Sequence, residues 1–142
     1  MQHPAIFPSE LSQSFDRQMK LCNDLEAVAD SLPSRTDRQF CLHLARQIGP
    51  VLRDAHAIEE RYLFPSIGLG QRGTDIVERL RWEHLVDESY GEEVQQELLQ
   101  IGQGATILPP EAVGYMLRGF FESMRRHIRN EMDLVRSTVP TH

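Results

Sequence analysis

The chain has 142 residues, the size of one ordinary domain, so we expect a single core spanning residues 1–142. Apolar residues make up 40% of it and charged residues 25%, which excludes intrinsic disorder, and no apolar run approaches the roughly 20 residues that a membrane-spanning helix needs. Acidic residues outnumber basic residues 21 to 15 without any basic block, which argues against nucleic acid or an anionic membrane as a partner.

Four long segments almost free of Gly and Pro lie between clusters of these two residues. Each segment is far too long for a strand. Ser9 and Thr74 are suitable N-cap residues, Ser34 is followed three residues later by Asp37, and Pro110 suits a first helical position. We therefore predict four helices, at about residues 9–31, 36–63, 74–101 and 111–139.

Apolar residues recur at steps of three and four in all four segments, as from Leu11 through Phe15 to Cys22 and Leu25 in the first. This period places them along one face of each helix, where they can form the seam of a bundle. Connections this short cannot return along the bundle, so successive helices run in opposite directions. The predicted fold is all-α, an antiparallel up-down-up-down four-helix bundle.

Each predicted seam is interrupted by polar residues that bundle packing does not require. Burying an imidazole or a carboxylate costs several kcal/mol unless the group is paired or binds a metal ion. At about 1.5 Å per residue, one such position in each helix falls at a common level, about 12 to 17 Å from the same end of the bundle. The interrupting residues are Gln18 in the first helix, His56 and Glu59 in the second, His84 and Asp87 in the third, and His127 and Glu131 in the fourth.

Two of the helices carry the same spaced pair, H-x-x-x-E, as His56 with Glu60 and as His127 with Glu131. Side chains four residues apart lie one above the other on a helix, so both can reach one ion or bridge two. Mixed imidazole and carboxylate ligands suit iron, manganese or zinc, and the lack of a thiolate pair in the seams argues against a structural zinc site. The pattern therefore predicts a metal site, with iron as the favoured ion.

These motifs are similar to those of the hemerythrin-like (HHE cation-binding) domain family. Residues 56–65, HAIEERYLFP, resemble its second-helix signature H-x-x-E-E-x-x-L-F-P, residues 83–84 resemble its third-helix E-H, and residues 127–131 its fourth-helix H-x-x-x-E. The resemblance covers about residues 9–139. It implies a non-heme di-iron centre that binds O2, NO or another diatomic, senses oxygen, iron or redox state, detoxifies NO or repairs iron centres. The implied metal ligands are His56, Glu60, His84, His127 and Glu131, with the two glutamates bridging.

The first helix departs from the family pattern, because Gln18 stands at the seam position where the family has a histidine. An amide oxygen is a poorer iron ligand than an imidazole, so a second iron would be weakly held, bound by water instead, or absent. An alternative function is therefore a regulatory or interaction module with a mononuclear or lost metal site. Glu59 is the alternative ligand to Glu60, or else a hydrogen-bond acceptor for a ligand or a seam-edge residue stacked against Arg17 or Arg129. Asp87 and Glu88 are both placed to orient a neighbouring imidazole, although a solvated position is favoured for Glu88.

The sequence shows no nucleophile constellation, phosphate loop or substrate base, which argues against conventional hydrolase or transferase activity. Peroxide or NO chemistry at iron is the enzymatic alternative. An outward stripe of Trp82 and Val86 fits either a homodimer interface or a surface covered by residues 5–7. Cys22 and Cys41 lack a C-x-x-C spacing and the first residues lack the features of a signal peptide, so we expect a cytoplasmic protein.

Overall fold

The computed structural model describes residues 7–67 and 70–138 of the chain. Within them lie four long helices, one single-turn helix and no strand. None of these helices is long and apolar enough to cross a membrane. The helices are α1 (Ser9–Ser31), α2 (Arg38–Tyr62), the single turn α3 (Phe64–Ile67), α4 (Gly70–Gly102) and α5 (Pro110–Thr138).

The four long helices form a closed ring of neighbours. Helix α2 packs against α1 and α4, and α5 packs against the same two helices from the other side. Helix α1 therefore lies diagonally across from α4, and α2 across from α5. This order confirms the predicted all-α, up-down-up-down four-helix bundle, in which each helix runs beside its neighbours in sequence.

The helix starts differ from the predictions where local capping signals misled. Helix α4 begins at Gly70, so Thr74 is not an N-cap; its hydroxyl donates to the carbonyl oxygen of Gly70 at 3.0 Å, a bond that keeps the residue inside the first turn. Ser9 is the first helical residue of α1, with Pro8 at the cap. Helix α2 begins at Arg38, because the side chain of Asp37 accepts from the backbone N–H of Phe40 at 3.1 Å.

Apolar side chains fill the bundle along all four predicted seams. The thiols of Cys22 and Cys41 are fully buried in this core and are not paired with each other. Burial raises the pKa of Cys22 to about 12 and that of Cys41 to about 11, so both behave as small apolar residues.

Helices α2 and α4 approach each other closely at Gly91. A Cβ atom on this residue would lie only 2.6 Å from Cδ1 of Leu52 on α2, so a larger residue would require the Leu52 side chain to move. Gly91 lies two turns from His84 along the same seam.

Candidate metal centre

All seven polar residues predicted to interrupt the seams are buried in the middle of the bundle. None of them is more than 8% exposed, and all four long helices contribute. The burial follows from the helical period, because each residue stands on the same face as the apolar side chains before and after it. The seven are Gln18, His56, Glu59, His84, Asp87, His127 and Glu131.

Four of these side chains form a compact group that could hold a metal ion. Glu59 of α2, His84 of α4, and His127 and Glu131 of α5 each offer one ligand atom, and these atoms all lie within 4.8 Å of one another. Oε1 of Glu131 lies 3.3 Å from Nε2 of His84 and 2.5 Å from Nε2 of His127. Oε1 of Glu59 lies 3.6 Å from Nε2 of His84. The group thus presents two imidazoles and two carboxylates to one point.

The hydrogen bonds of this group are incomplete. Within the described part of the chain, Nδ1 of His84, Nε2 of His127 and Oε2 of Glu131 are buried without a hydrogen-bond partner. Oε1 of Glu131 is close to Nε2 of His127 but lies off the direction in which that nitrogen would donate. Buried polar atoms are almost always satisfied, so converging nitrogen and oxygen atoms of this kind fit a cation that binds them together. The donor set suits iron, manganese or zinc.

Asp87 orients the imidazole of His127. Its carboxylate accepts from Nδ1–H of His127 at 2.7 Å, which turns the other nitrogen, Nε2, toward Glu131. Burial alone would lower the pKa of His127, but the hydrogen bond and the charge of Asp87 raise it above its usual value. A carboxylate that holds the far nitrogen of a histidine in this way is the usual support of a metal-binding imidazole.

The other two buried histidines are held in the neutral form, which is the form that binds metals. Burial, with the nearby charge of His127, lowers the pKa of His84 to about 4. Burial and the proximity of His84 likewise lower the pKa of His56. The rings of His56 and His84 stack with their centroids 3.8 Å apart and an angle of 6° between their planes.

Gln18 reaches the group through Glu59. Its amide nitrogen donates to Oε2 of Glu59 at 3.4 Å and lies 3.5 Å from the hydroxyl oxygen of Ser14. Burial raises the pKa of Glu59 to about 7, although the charges of His56 and His127 and the bond from Gln18 oppose the shift. Gln18 of α1 therefore donates a hydrogen bond to Glu59. It lies at the level of the bundle that the sequence predicted for it.

The second predicted H-x-x-x-E pair lies beside the four-residue group. Nδ1 of His56 donates to Oε2 of Glu88 at 2.8 Å. The side chain of Glu60 is 37% exposed and accepts from Arg81 at 2.9 Å, and its other oxygen lies 4.0 Å from Nδ1 of His84. The structure thus places Glu59 inside the group and Glu60 at its edge.

Sequence reasoning missed Glu83 and Arg81 as polar neighbours of the centre, and for Glu88 it favoured a solvated position over contact with an imidazole. Oε2 of Glu83 lies 3.5 Å from Nε2 of His127, while Glu88 and Arg81 bond to the α2 residues described above. All three stand on α4, but their partners are on α2 or α5. No local pattern connects such pairs, so only the packing of the helices reveals them.

Comparison with known proteins agrees with the fold and the buried group. No curated protein and no solved structure matches the chain. The family described as hemerythrin HHE cation binding domain matches residues 16–136, which includes every side chain of the buried group. The chain therefore belongs to the hemerythrin HHE cation-binding domain family.

Proposed function

We propose that the chain binds one non-heme iron ion at Glu59, His84, His127 and Glu131 and uses it to bind or sense O2, NO or redox state. The observation that supports this proposal is the convergence of four ligand atoms within 4.8 Å in a group whose members are at most 8% exposed. Two carboxylates offset the charge of a divalent ion, and two imidazoles favour a transition metal over calcium or magnesium.

The surrounding residues would prepare the site for a small ligand. Asp87 fixes the direction of His127, and Gln18 holds Glu59 by a hydrogen bond. The low exposure of the group excludes bulk water and admits only small molecules. Bound iron would supply a redox-active ion with coordination positions open to a diatomic ligand.

The number of ions depends on the remaining H-x-x-x-E pair. For a second ion, Glu60 would have to leave Arg81, whereas His56 could keep Glu88 on Nδ1 and offer Nε2. Gln18 presents its N–H group to Glu59 and not a metal-binding atom to this position. These contacts favour a mononuclear centre, and they also support the second candidate function, a regulatory module with a reduced metal site.

Metal analysis of protein purified without chelator and reloaded anaerobically with Fe(II) tests the proposal. We expect about one iron per chain, since the four ligand side chains already converge and metal binding requires no refolding. His43→Ala is the matched control, because His43 is an exposed histidine far from the group in sequence. The ferrous protein should change its visible spectrum when NO or O2 is added. Substoichiometric metal in the wild type, equal to that of a Glu131→Ala variant, would refute the proposal.

Gln18→His separates the mononuclear from the dinuclear interpretation. We expect the added imidazole to raise the iron content from about one to about two per chain, because it supplies an imidazole ligand at a position that now offers only an amide. Two irons in the wild-type protein would show that the second position forms without this histidine, and that the mononuclear interpretation is wrong.

A further inference from the structure

An open cavity of about 270 Å³ lies between α4 and α5, directly outside the candidate metal centre. Trp82, which is 65% exposed, stands at its outer side. Its lining includes the carboxylates of Glu83 and Asp87 on α4 and the basic side chains of Arg126 and His127 on α5. The cavity thus connects solvent with two carboxylates beside the centre.

The inner end of this cavity is His127, a buried side chain whose Nε2 has no hydrogen-bond partner in the described part of the chain. That nitrogen lies 3.5 Å from Oε2 of Glu83 on the outer side and 2.5 Å from Oε1 of Glu131 on the inner side. The side chain of Glu83 is 36% exposed, whereas Glu131 is fully buried. One imidazole therefore touches both a solvent-accessible carboxylate and a carboxylate of the metal group.

We propose that this cavity is the uptake site for the divalent metal ion, and that Glu83 is the first carboxylate to bind it. The inference rests on the proposed metal-binding function. A half-exposed carboxylate can bind a cation that still carries most of its water. Glu83 is close to His127, and His127 is close to Glu131. The ion can therefore pass from one ligand to the next without being released into solvent. Glu83 thus acts in loading, while the final ligands lie deeper.

On the Glu60 side of the centre lies another cavity, but its carboxylate nearest the centre is already paired with an arginine. There Glu60 accepts from Arg81 at 2.9 Å, and the guanidinium of Arg81 also lies 5.3 Å from the centre of the Phe64 ring. An incoming ion would have to displace this arginine. Among the described residues, by contrast, the ion pair of Glu83 is with His127 alone. The charge arrangement therefore favours the cavity between α4 and α5.

Stopped-flow measurement of Fe(II) or Co(II) uptake by the metal-free protein tests this inference. For Glu83→Gln we expect the uptake rate constant to fall by about tenfold or more, because a charged group lining a cleft raises the rate of cation association by such factors. The final metal content should equal that of the wild type. Raising the ionic strength should slow uptake by the wild type more than uptake by Glu83→Gln.

Glu78→Gln is the matched control, because Glu78 is an exposed glutamate of the same helix that lines the cavity on the Glu60 and Arg81 side. Its uptake rate should not change. The inference would be overturned if Glu83→Gln took up metal at the wild-type rate, or if only Glu78→Gln were slower. It would also be overturned if Glu83→Gln held less metal at the end while its uptake rate was unchanged. A wild-type protein that takes up no metal would refute the proposed function itself, whereas equal rates in wild type and Glu83→Gln refute only the uptake site. Circular dichroism of each variant confirms that the helices are intact.

Discussion

The two H-x-x-x-E pairs of this chain have the same spacing and different surroundings. In α5, His127 and Glu131 turn toward each other and into the four-residue group. In α2, neither His56 nor Glu60 is a member of that group; Nδ1 of His56 bonds to Glu88, and Glu60 bonds to Arg81. Identical spacing therefore leads to two outcomes in one molecule.

The difference comes from what the neighbouring helix offers to each outer atom. Asp87 of α4 accepts from the outer nitrogen of His127 and so directs the inner one to Glu131. On the other side, Arg81 of the same helix draws Glu60 outward. A spacing of four residues lets two side chains of one helix reach the same ion. Their partners on the next helix decide whether the two side chains converge.

The largest effect should come from the converging pair. Glu131→Gln keeps the volume of the side chain but removes the carboxylate whose Oε1 lies 3.3 Å from Nε2 of His84 and 2.5 Å from Nε2 of His127. We expect stoichiometric iron binding to be lost. Added Fe(II) should raise the Tm of the wild type and leave that of the variant unchanged, because only a ligand that binds the folded state stabilises it. Retention of one iron by Glu131→Gln would contradict the assignment of the centre.

The neighbouring glutamates of α2 provide the next test. Glu59→Gln should weaken iron binding strongly, whereas Glu60→Gln should leave the metal content near that of the wild type, because Glu59 is in the group and Glu60 is bonded to Arg81. Both are measured by metal analysis after dialysis at equal free Fe(II). The reverse result would mean that the α2 pair binds metal as the α5 pair does, with Glu60 leaving Arg81.

A smaller effect is expected from the carboxylates that hold the two outer histidine nitrogens. Asp87→Asn should weaken metal binding by about 10- to 100-fold, the usual result of removing the support of a metal-binding imidazole. Glu88→Gln, the equivalent change beside His56, should weaken it much less, because His56 is outside the group. Equal losses in the two variants, measured by competition with a chelator of known affinity, would remove the distinction between the two histidines.

The smallest effect should come from Arg81. Arg81→Gln breaks an ion pair whose two side chains are both partly exposed, and such pairs contribute at most about 1 kcal/mol to the free energy of unfolding. We expect a change of this size in urea denaturation and an unchanged metal content of about one iron per chain. A rise to two irons in Arg81→Gln would instead show that this arginine prevents Glu60 from binding a second ion.

The period of apolar residues along each helix predicted which polar side chains are buried better than the H-x-x-x-E spacing did. The apolar seam of α2 runs through His56 and Glu59, and both are buried, whereas Glu60, adjacent to Glu59, is rotated about 100° around the helix and reaches the surface. The H-x-x-x-E spacing pointed to Glu60. The position of a residue relative to the core face therefore predicted its burial, whereas the H-x-x-x-E spacing predicted only which residues of one helix could pair.

The sequence by itself determined the four helices, their antiparallel order and the level at which polar residues interrupt the core. These features depend on the period of apolar residues and on short connections, which act within one helix or between consecutive helices. Only the tertiary structure decided that Glu59 joins His84, His127 and Glu131, that Glu88 and Arg81 engage His56 and Glu60, and that a cavity beside Glu83 reaches His127. Those contacts join different helices, so their geometry depends on how the packed helices are rotated and spaced, which no single segment encodes.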